Sequence, residues 1–338
     1  MPLYAKLMEF IALQRRFFMP GFTTHYLFGQ QTYQKLHPSE VKQTIQRYHT
    51  VFSLGLQGPD IFFYFFPFFF WKGGIPGSLA HTTNTQKFLW YLLKSPEIFE
   101  SKRQKKIAQT YVFGFIGHYL LDSICHPYVY GRTGYHPTEK GYLGHHIGLE
   151  TDIDTTLLWE YQEKVPSEFH GAECISLSKE QEEIVSKTVY FACKKAYPAL
   201  KISPGIVKSS IHAIRQGCRL LYDSTGYKKI LVRRIESICP GYGMLSSLIP
   251  SDTIIYHTDP LNLKHHPWVN PWDESAISHQ SFTELFEEAE KDYQRILRDI
   301  AYFFGRERTK EEQRAALKVM VRHLGDKSYH SGLASDKL

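Results

Sequence analysis

Gly117-His118-Tyr119-Leu120-Leu121-Asp122-Ser123-Ile124-Cys125-His126-Pro127 is the stretch on which the reading of this chain turns. His118 and Asp122 are four apart, so on a helix they share a face one turn apart and can grip one metal ion. Helical spacing of apolar residues predicts a long helix from Arg103 to Cys125 that holds both. His126 comes one turn later, but Pro127 follows and pushes it out of the α region. The helix is therefore expected to end near Cys125, with His126 pointing along another line towards a second ion.

Working outward, His146 and Glu150 repeat the four-residue spacing on a second predicted helix, Gly144 to Gln162. A loop rich in Gly, Pro and Tyr, Pro127 to Gly144, reverses the chain between them. One such pair occurs by chance in many helices; two within 33 residues do not invite that reading. Imidazole and carboxylate both bind zinc, at about 2.0–2.2 Å. The residues then divide into one site from His118, Asp122 and an upstream histidine, and a second from His126, His146 and Glu150. His81, before Thr82-Thr83-Asn84 at a helix start, is the natural upstream donor. His25, in Thr23-Thr24-His25-Tyr26, is a further candidate. Asp60 sits in Gly58-Pro59-Asp60, a rigid turn able to present a carboxylate into a cleft.

The chain has 17 histidines, so most need no special role. His37, His49, His136, His170, His212, His279, His323 and His330 are read as ordinary core or surface residues. His145 lacks the Glu four residues on that His146 has, and is read as outer or exposed.

Length, at 338 residues, and 43% hydrophobic content allow a substantial core. A net charge of +6 is too small to argue for nucleic acid. The five cysteines are odd in number, widely spaced and never Cys-x-x-Cys, which fits a reduced, cytoplasmic setting. Leu7 to Leu13 is short, contains Glu9 and runs into Arg15-Arg16, unlike a signal peptide. The aromatic run Ile61 to Trp71 is 11 residues long and broken by Pro67, too short for a span of about 20 residues. It is read as core before it is read as a substrate-facing surface.

Strand-like alternation is scarce, and the fold class expected is all-α. Further helices are predicted at Glu40–Leu54, Asn84–Lys94, Ser178–Tyr197, Pro204–Tyr222, Ser281–Phe304 and Lys310–His323, with Ser237 to Asp273 irregular. The organisation expected is a metal-binding catalytic unit over 19–165, a helical C-terminal part over 166–325 packed on it, and a disordered tail over 326–338.

Gly21-Phe22-Thr23-Thr24-His25, Gly58-Pro59-Asp60, Gly117-His118-x3-Asp122-x3-His126-Pro127 and His146-x3-Glu150 resemble the zinc-dependent phospholipase C family. That family shares its all-α fold with single-strand nucleases. The resemblance spans about residues 19–160, and Asp259-Pro260-Leu261-Asn262 with His265-His266-Pro267-Trp268 looks like intracellular bacterial members. It implies one zinc on His81, His118 and Asp122, and a second on His126, His146 and Glu150. A third would use His25, a bridging Asp122 and the mature N-terminal residue. Here 24 residues precede His25, and a start at Met19, before Pro20, is one way to shorten them. Two or three zinc ions are thus implied, with Asp60 as general base.

The activity implied is hydrolysis of a phospholipid or other phosphodiester, with room for peripheral membrane contact and little support for nucleic acid. A single-strand nuclease of the same fold and a non-catalytic zinc-binding protein are the alternatives. The chain has no Gly-x-Ser-x-Gly elbow, no His-Glu-x-x-His, no phosphate-binding Walker loop and no Glu-x-x-His pair for a di-iron site.

Overall fold

Long apolar stretches at helical spacing have to be covered, and this chain covers them by wrapping helices around one central rod. The computed structural model describes residues 21–65, 67–68, 75–136, 142–238, 243–252, 258–306 and 308–334. Leu7–Leu13, Met19, Phe66, Phe69–Trp71, Cys239 and residues 335–338 lie outside the described residues.

The elements, in chain order, begin with α1 (Phe22–Lys35), α2 (Glu40–Arg47), α3 (His49–Gly55) and a 3-10 turn (Gly58–Phe62). Next come α4 (Pro76–Thr82), α5 (Thr85–Lys94), α6 (Lys102–Thr133), α7 (Tyr142–Gln162), α8 (Gly171–Cys174) and α9 (Lys179–Ala196). They continue with α10 (Pro204–Leu221), α11 (Tyr227–Glu236), α12 (Met244–Ser247), β1 (Trp268–Asn270), β2 (Asp273–Ser278), α13 (Phe282–Gly305) and α14 (Lys310–Leu324). The fold is all-α; β1 and β2 add only a short antiparallel hairpin. Reciprocal side-chain caps start α9 at Ser178, α13 at Ser281 and α14 at Thr309.

The rod is α6. Its side chains are buried almost without break from Ile107 to Tyr130, as in a helix covered on every side. Helices α3, α7, α9 and α13 pack on it. The α3–α6 crossing is a backbone contact. A Cβ on Gly114 would lie 2.2 Å from the Phe52 carbonyl oxygen, and one on Gly55 2.4 Å from that of Tyr111. Glycine at both positions permits it, and the crossing carries the following turn, with Asp60, onto the side of α6 that holds His118. One continuous core takes in Leu157, Ile184 and Tyr293, on both sides of residue 165.

Four expectations are corrected. α6 does not stop near Cys125: it runs through Pro127 to Thr133 and ends at Gly134, φ +61°. Proline removes one helical N–H and crowds the carbonyl four residues back, here that of Ser123. Gly332 packs against that carbonyl and against the Pro127 ring, so the local break is covered and the helix continues. The loop is correspondingly shorter than Pro127 to Gly144. The segment 326–334, expected to be disordered, folds back on α6. Tyr329 is fully buried, Ser328 N donates to Leu333 O at 2.8 Å, and Lys327 bridges to Ala334. Helix α11 and the β1–β2 hairpin were not expected. Of the aromatic run, Ile61, Phe62, Phe63 and Phe68 are core, while Tyr64 and Phe65 are half-buried. Among the described residues, no helix is long and apolar enough to cross a membrane.

Candidate metal centre

Five elements aim side chains at one point beside the middle of α6. α6 supplies His118, Asp122 and His126, one stripe at successive turns because the helix survives Pro127. α7 supplies His146 and Glu150, α4 supplies His81, the 3-10 turn supplies Asp60 and α1 supplies His25. All eight are buried. The sequence reading thus named residues that the fold brings together, across 125 positions from His25 to Glu150.

Asp122 is the hub. Its Oδ1 lies 3.1 Å from His25 Nε2. Its Oδ2 lies 3.0 Å from His118 Nε2, 3.5 Å from His126 Nδ1 and 3.6 Å from His81 Nε2. Glu150 Oε1 plays the same part for the other set, 3.2 Å from His126 Nε2 and 3.4 Å from His146 Nε2. Asp60 is not set apart from these donors. Its Oδ1 lies 3.2 Å from His81 Nε2 and 4.0 Å from His118 Nε2. The donor atoms fall into three compact groups: His25, Asp60 and His118; His81, His118 and Asp122; and His126, His146 and Glu150.

The rings are held from behind. His81 Nδ1 lies 2.8 Å from Gly77 O, His118 Nδ1 3.1 Å from Leu56 O and His126 Nδ1 3.0 Å from Tyr329 O. A carbonyl can only accept, so each Nδ1 carries a proton, and each Nε2 faces the carboxylates, where it ligates once any second proton has left. That outer arrangement is typical of metal-ligating histidine. His146 Nδ1 meets the Tyr142 hydroxyl at 3.3 Å. His25 is placed by Asp154, which accepts from Thr24 N at 2.7 Å, Thr24 Oγ1 at 2.5 Å and Thr23 N at 3.2 Å, at the first turn of α1. Burial raises the Asp154 carboxyl to about 6, against the pull of those Thr24 and Thr23 bonds.

Metal-free, the cluster is electrostatically tense. Burial opposes the charge on Asp122, yet His118, His126 and His25 hold it well below the usual carboxylate range. Glu150 is lowered against its own burial by His146 and His126. Burial pulls His81 down, but the Asp122 and Asp60 carboxylates overrule it and push the ring up to about 10. His126 rises against burial to about 8, through Asp122 and Glu150. His118 goes the other way: burial and the neighbouring His25, stacked on it at 4.3 Å between centroids, outweigh Asp122.

A metal fits this arrangement. Among the described residues, His81 Nε2, His118 Nε2, Asp60 Oδ1, Asp122 Oδ2 and Glu150 Oε2 are buried and make no hydrogen bond of ordinary geometry. Buried polar atoms rarely stay so, and nitrogen with hard oxygen donors suits zinc.

Three residues beside the site were not assigned to it from the sequence: Tyr329 and Asp154 were not singled out, and His330, read as an ordinary core or surface residue, is corrected here. Tyr329 supplies the carbonyl behind His126 and packs its ring on His81 at 4.8 Å. His330 lies 5.6 Å from His81 and 6.2 Å from His126, centroid to centroid, and its Nδ1 meets the Tyr130 hydroxyl at 3.0 Å. No spacing could have flagged them, since they arrive from about 200 positions away. Asp154, four residues after Glu150, did carry a spacing signal.

An opening beside the cluster is lined by Gly21, His25, Asp122, His126 and Glu150. A second, mostly apolar cavity also touches Gly21 and is lined by Phe22, Tyr64, Leu158, Phe169 and Leu221. Residues 24–200, more than half of the chain, match the family model described as zinc dependent phospholipase C. No curated protein and no solved structure matches the chain.

Proposed function

The chain belongs to the zinc-dependent phospholipase C family, and from that premise we propose that it hydrolyses a phosphodiester, with phospholipid as the substrate class. The observation that carries this reading is the pair of donor sets joined through Asp122 and His126 on one helix, next to an opening that shares Gly21 with an apolar cavity.

His81, His118 and Asp122 would hold one zinc, and His126, His146 and Glu150 a second. His25 with Asp122 would contribute to a third. Bound zinc supplies Lewis acidity and brings the pKa of a ligated water from about 15.7 towards about 7. Asp60 is the general base in this reading: its buried Oδ1 faces the cluster, 3.2 Å from His81 Nε2, and can take the proton from the attacking water. The orienting carbonyls of Gly77, Leu56 and Tyr329 hold the rings in the tautomer that ligation needs. A second assignment for Asp60 is favoured by its grouping with His25 and His118: it would then be a ligand itself.

Elemental analysis of the purified protein should find two or three zinc ions per chain; less than one would sink the reading. Head-group release from phosphatidylcholine vesicles should exceed cleavage of single-stranded DNA, and activity on DNA alone would replace it with the nuclease. Asp60→Asn should cost about 100-fold or more in turnover. Zinc retained in that variant supports the base, and zinc lost makes Asp60 a ligand.

A further inference from the structure

Helix α11 turns an apolar stripe outward. Of its polar side chains only Glu236 is buried, accepting from Leu245 N and Ser246 N, while Lys228 and Lys229 are half-buried. Its apolar side faces solvent. Tyr227, Ile230, Leu231, Ile235 and, just past the helix, Ile238 recur at helical spacing and are 50–85% exposed. Leu220, seven residues before the helix, is also 73% exposed. No described residue covers this face. A stray surface leucine needs no explanation, but a stripe of five at helical spacing does.

Charge says what covers it. Residues 219–238 contain five cations, Arg219, Lys228, Lys229, Arg233 and Arg234, against two acids, Asp223 and Glu236. Both acids are turned inward, Asp223 onto Thr225 N and Lys229 N, and Glu236 onto α12. Arg233 and Arg234 are exposed beside the apolar stripe. A basic helix with a bare apolar face is the form that lies in the head-group region of an anionic membrane. A second copy of the chain fits poorly, since a two-fold contact would set these cations against themselves.

The placement suits a hydrolase working at that surface. α11 packs on α12, and α12 packs on α7 beside its metal-binding turn. Thr151, next to Glu150, donates to Ser247 O at 2.7 Å, and Gly144 lies against Gly243 and Met244. The outward stripe is thus fixed through α12 to the helix that carries His146 and Glu150. We propose that α11 docks the protein on an anionic phospholipid surface, with Tyr227, Ile230, Leu231, Ile235 and Ile238 entering the head-group layer and the exposed Arg234 pairing with lipid phosphates. The purpose of this docking rests on the hydrolase reading above; its test does not.

The test is co-sedimentation of the full-length, zinc-loaded protein with vesicles of phosphatidylcholine alone or mixed equally with phosphatidylglycerol. Binding to the mixed vesicles should be at least about tenfold tighter, and the margin should shrink in high salt. Leu231→Ser with Ile235→Ser, and separately Arg234→Glu, should each lower binding several-fold or more while thermal midpoint and hydrolysis of a soluble chromogenic phosphodiester stay unchanged. Leu231→Trp should shift its fluorescence to the blue on mixed vesicles. Equal binding to both vesicle types, or binding that ignores both variants, overturns the proposal. So does a dimer in light scattering that Leu231→Ser with Ile235→Ser dissociates without loss of vesicle binding. Docking without phospholipid turnover would leave this proposal standing and remove the hydrolase reading; turnover without docking would do the reverse.

Discussion

Asp122 is 3% exposed and Leu231 is 60% exposed, each on the side of the solvent boundary its side chain disfavours. Around Asp122, histidines and carboxylates fill the space where a core would hold leucine. On α11, leucine and isoleucine stand where a surface would hold lysine and glutamate. Each arrangement costs stability, by unpaired buried donors in one region and by exposed apolar area in the other. Local rules broken in a fold that otherwise obeys them tend to mark sites of function. The two regions differ in what offsets the cost. The inner one needs an ion that reaches it through a small opening; the outer one needs a surface as large as a membrane.

The widest gap between the regions should come from substituting their central residues. Asp122→Asn removes the one carboxylate that faces His25, His81, His118 and His126. Zinc content should fall by at least one ion and turnover by about 100-fold or more. In the metal-free protein, the protonated His81 would lose one of its two carboxylate partners and keep Asp60 at 3.2 Å, so the loss of stability should stay below the about 3–5 kcal/mol of a fully uncompensated buried charge. Leu231→Ser, by contrast, should stay within about 0.5 kcal/mol of the parent, as surface changes usually do. Calorimetry on both variants with and without zinc checks this. An Asp122→Asn protein that keeps its full zinc content would remove Asp122 as the hub and with it the contrast.

Protons sharpen the inner half of the comparison. In the metal-free protein His81 is pushed up to about 10 and His126 to about 8, both above the ordinary value of about 6.5. At pH 7 both are therefore protonated, and zinc, which needs their lone pairs, must displace about two protons on binding. The sign follows from the raised values. The histidines stabilise the metal-free fold fully below about 6.5, and that contribution is lost as pH climbs through about 8 and then about 10. Zinc affinity should rise across the same window. Titration calorimetry at pH 7 in buffers of different ionisation enthalpy measures the proton count. A count of zero would mean the rings are neutral before zinc arrives.

The two regions were unequally visible in the sequence, for physical reasons. Histidine and aspartate at four-residue spacing have few uses in a buried helix, so His118, Asp122, His146 and Glu150 stood out before any fold was known. The path of the helix past Pro127 did not, because it depends on Gly332 packing against the Ser123 carbonyl from far along the chain. Tyr329 and His330 were lost for the same reason. α11 escaped through the opposite fault. Its stripe has ordinary helical spacing, but whether such a stripe faces core or solvent is decided by neighbouring elements. Asp60 lies between these cases: its turn was legible, but its closeness to His81 came only with the fold.

The smallest effect expected separates the regions by a single methyl group. Gly226 begins α11 at φ +73° with open space around a Cβ, and Gly332 sits at φ +66° where a Cβ would lie 2.5 Å from the Ser123 carbonyl oxygen. Alanine at either position meets the left-handed backbone cost of about 1 kcal/mol. At Gly226 the cost should end there, with zinc binding unchanged. At Gly332 the added overlap is with backbone, so the turn from Ser328 to Gly332 must move, and with it the Tyr329 carbonyl that orients His126. Losing such an outer contact typically weakens a metal site about 10–100-fold. Zinc titration of Gly332→Ala should therefore show one weakened class of site, that of His126, His146 and Glu150, beside a less altered class at His81, His118 and Asp122. If Gly226→Ala and Gly332→Ala prove alike in both stability and zinc affinity, the turn at 328–332 is a bystander and His126 is oriented by α6 alone.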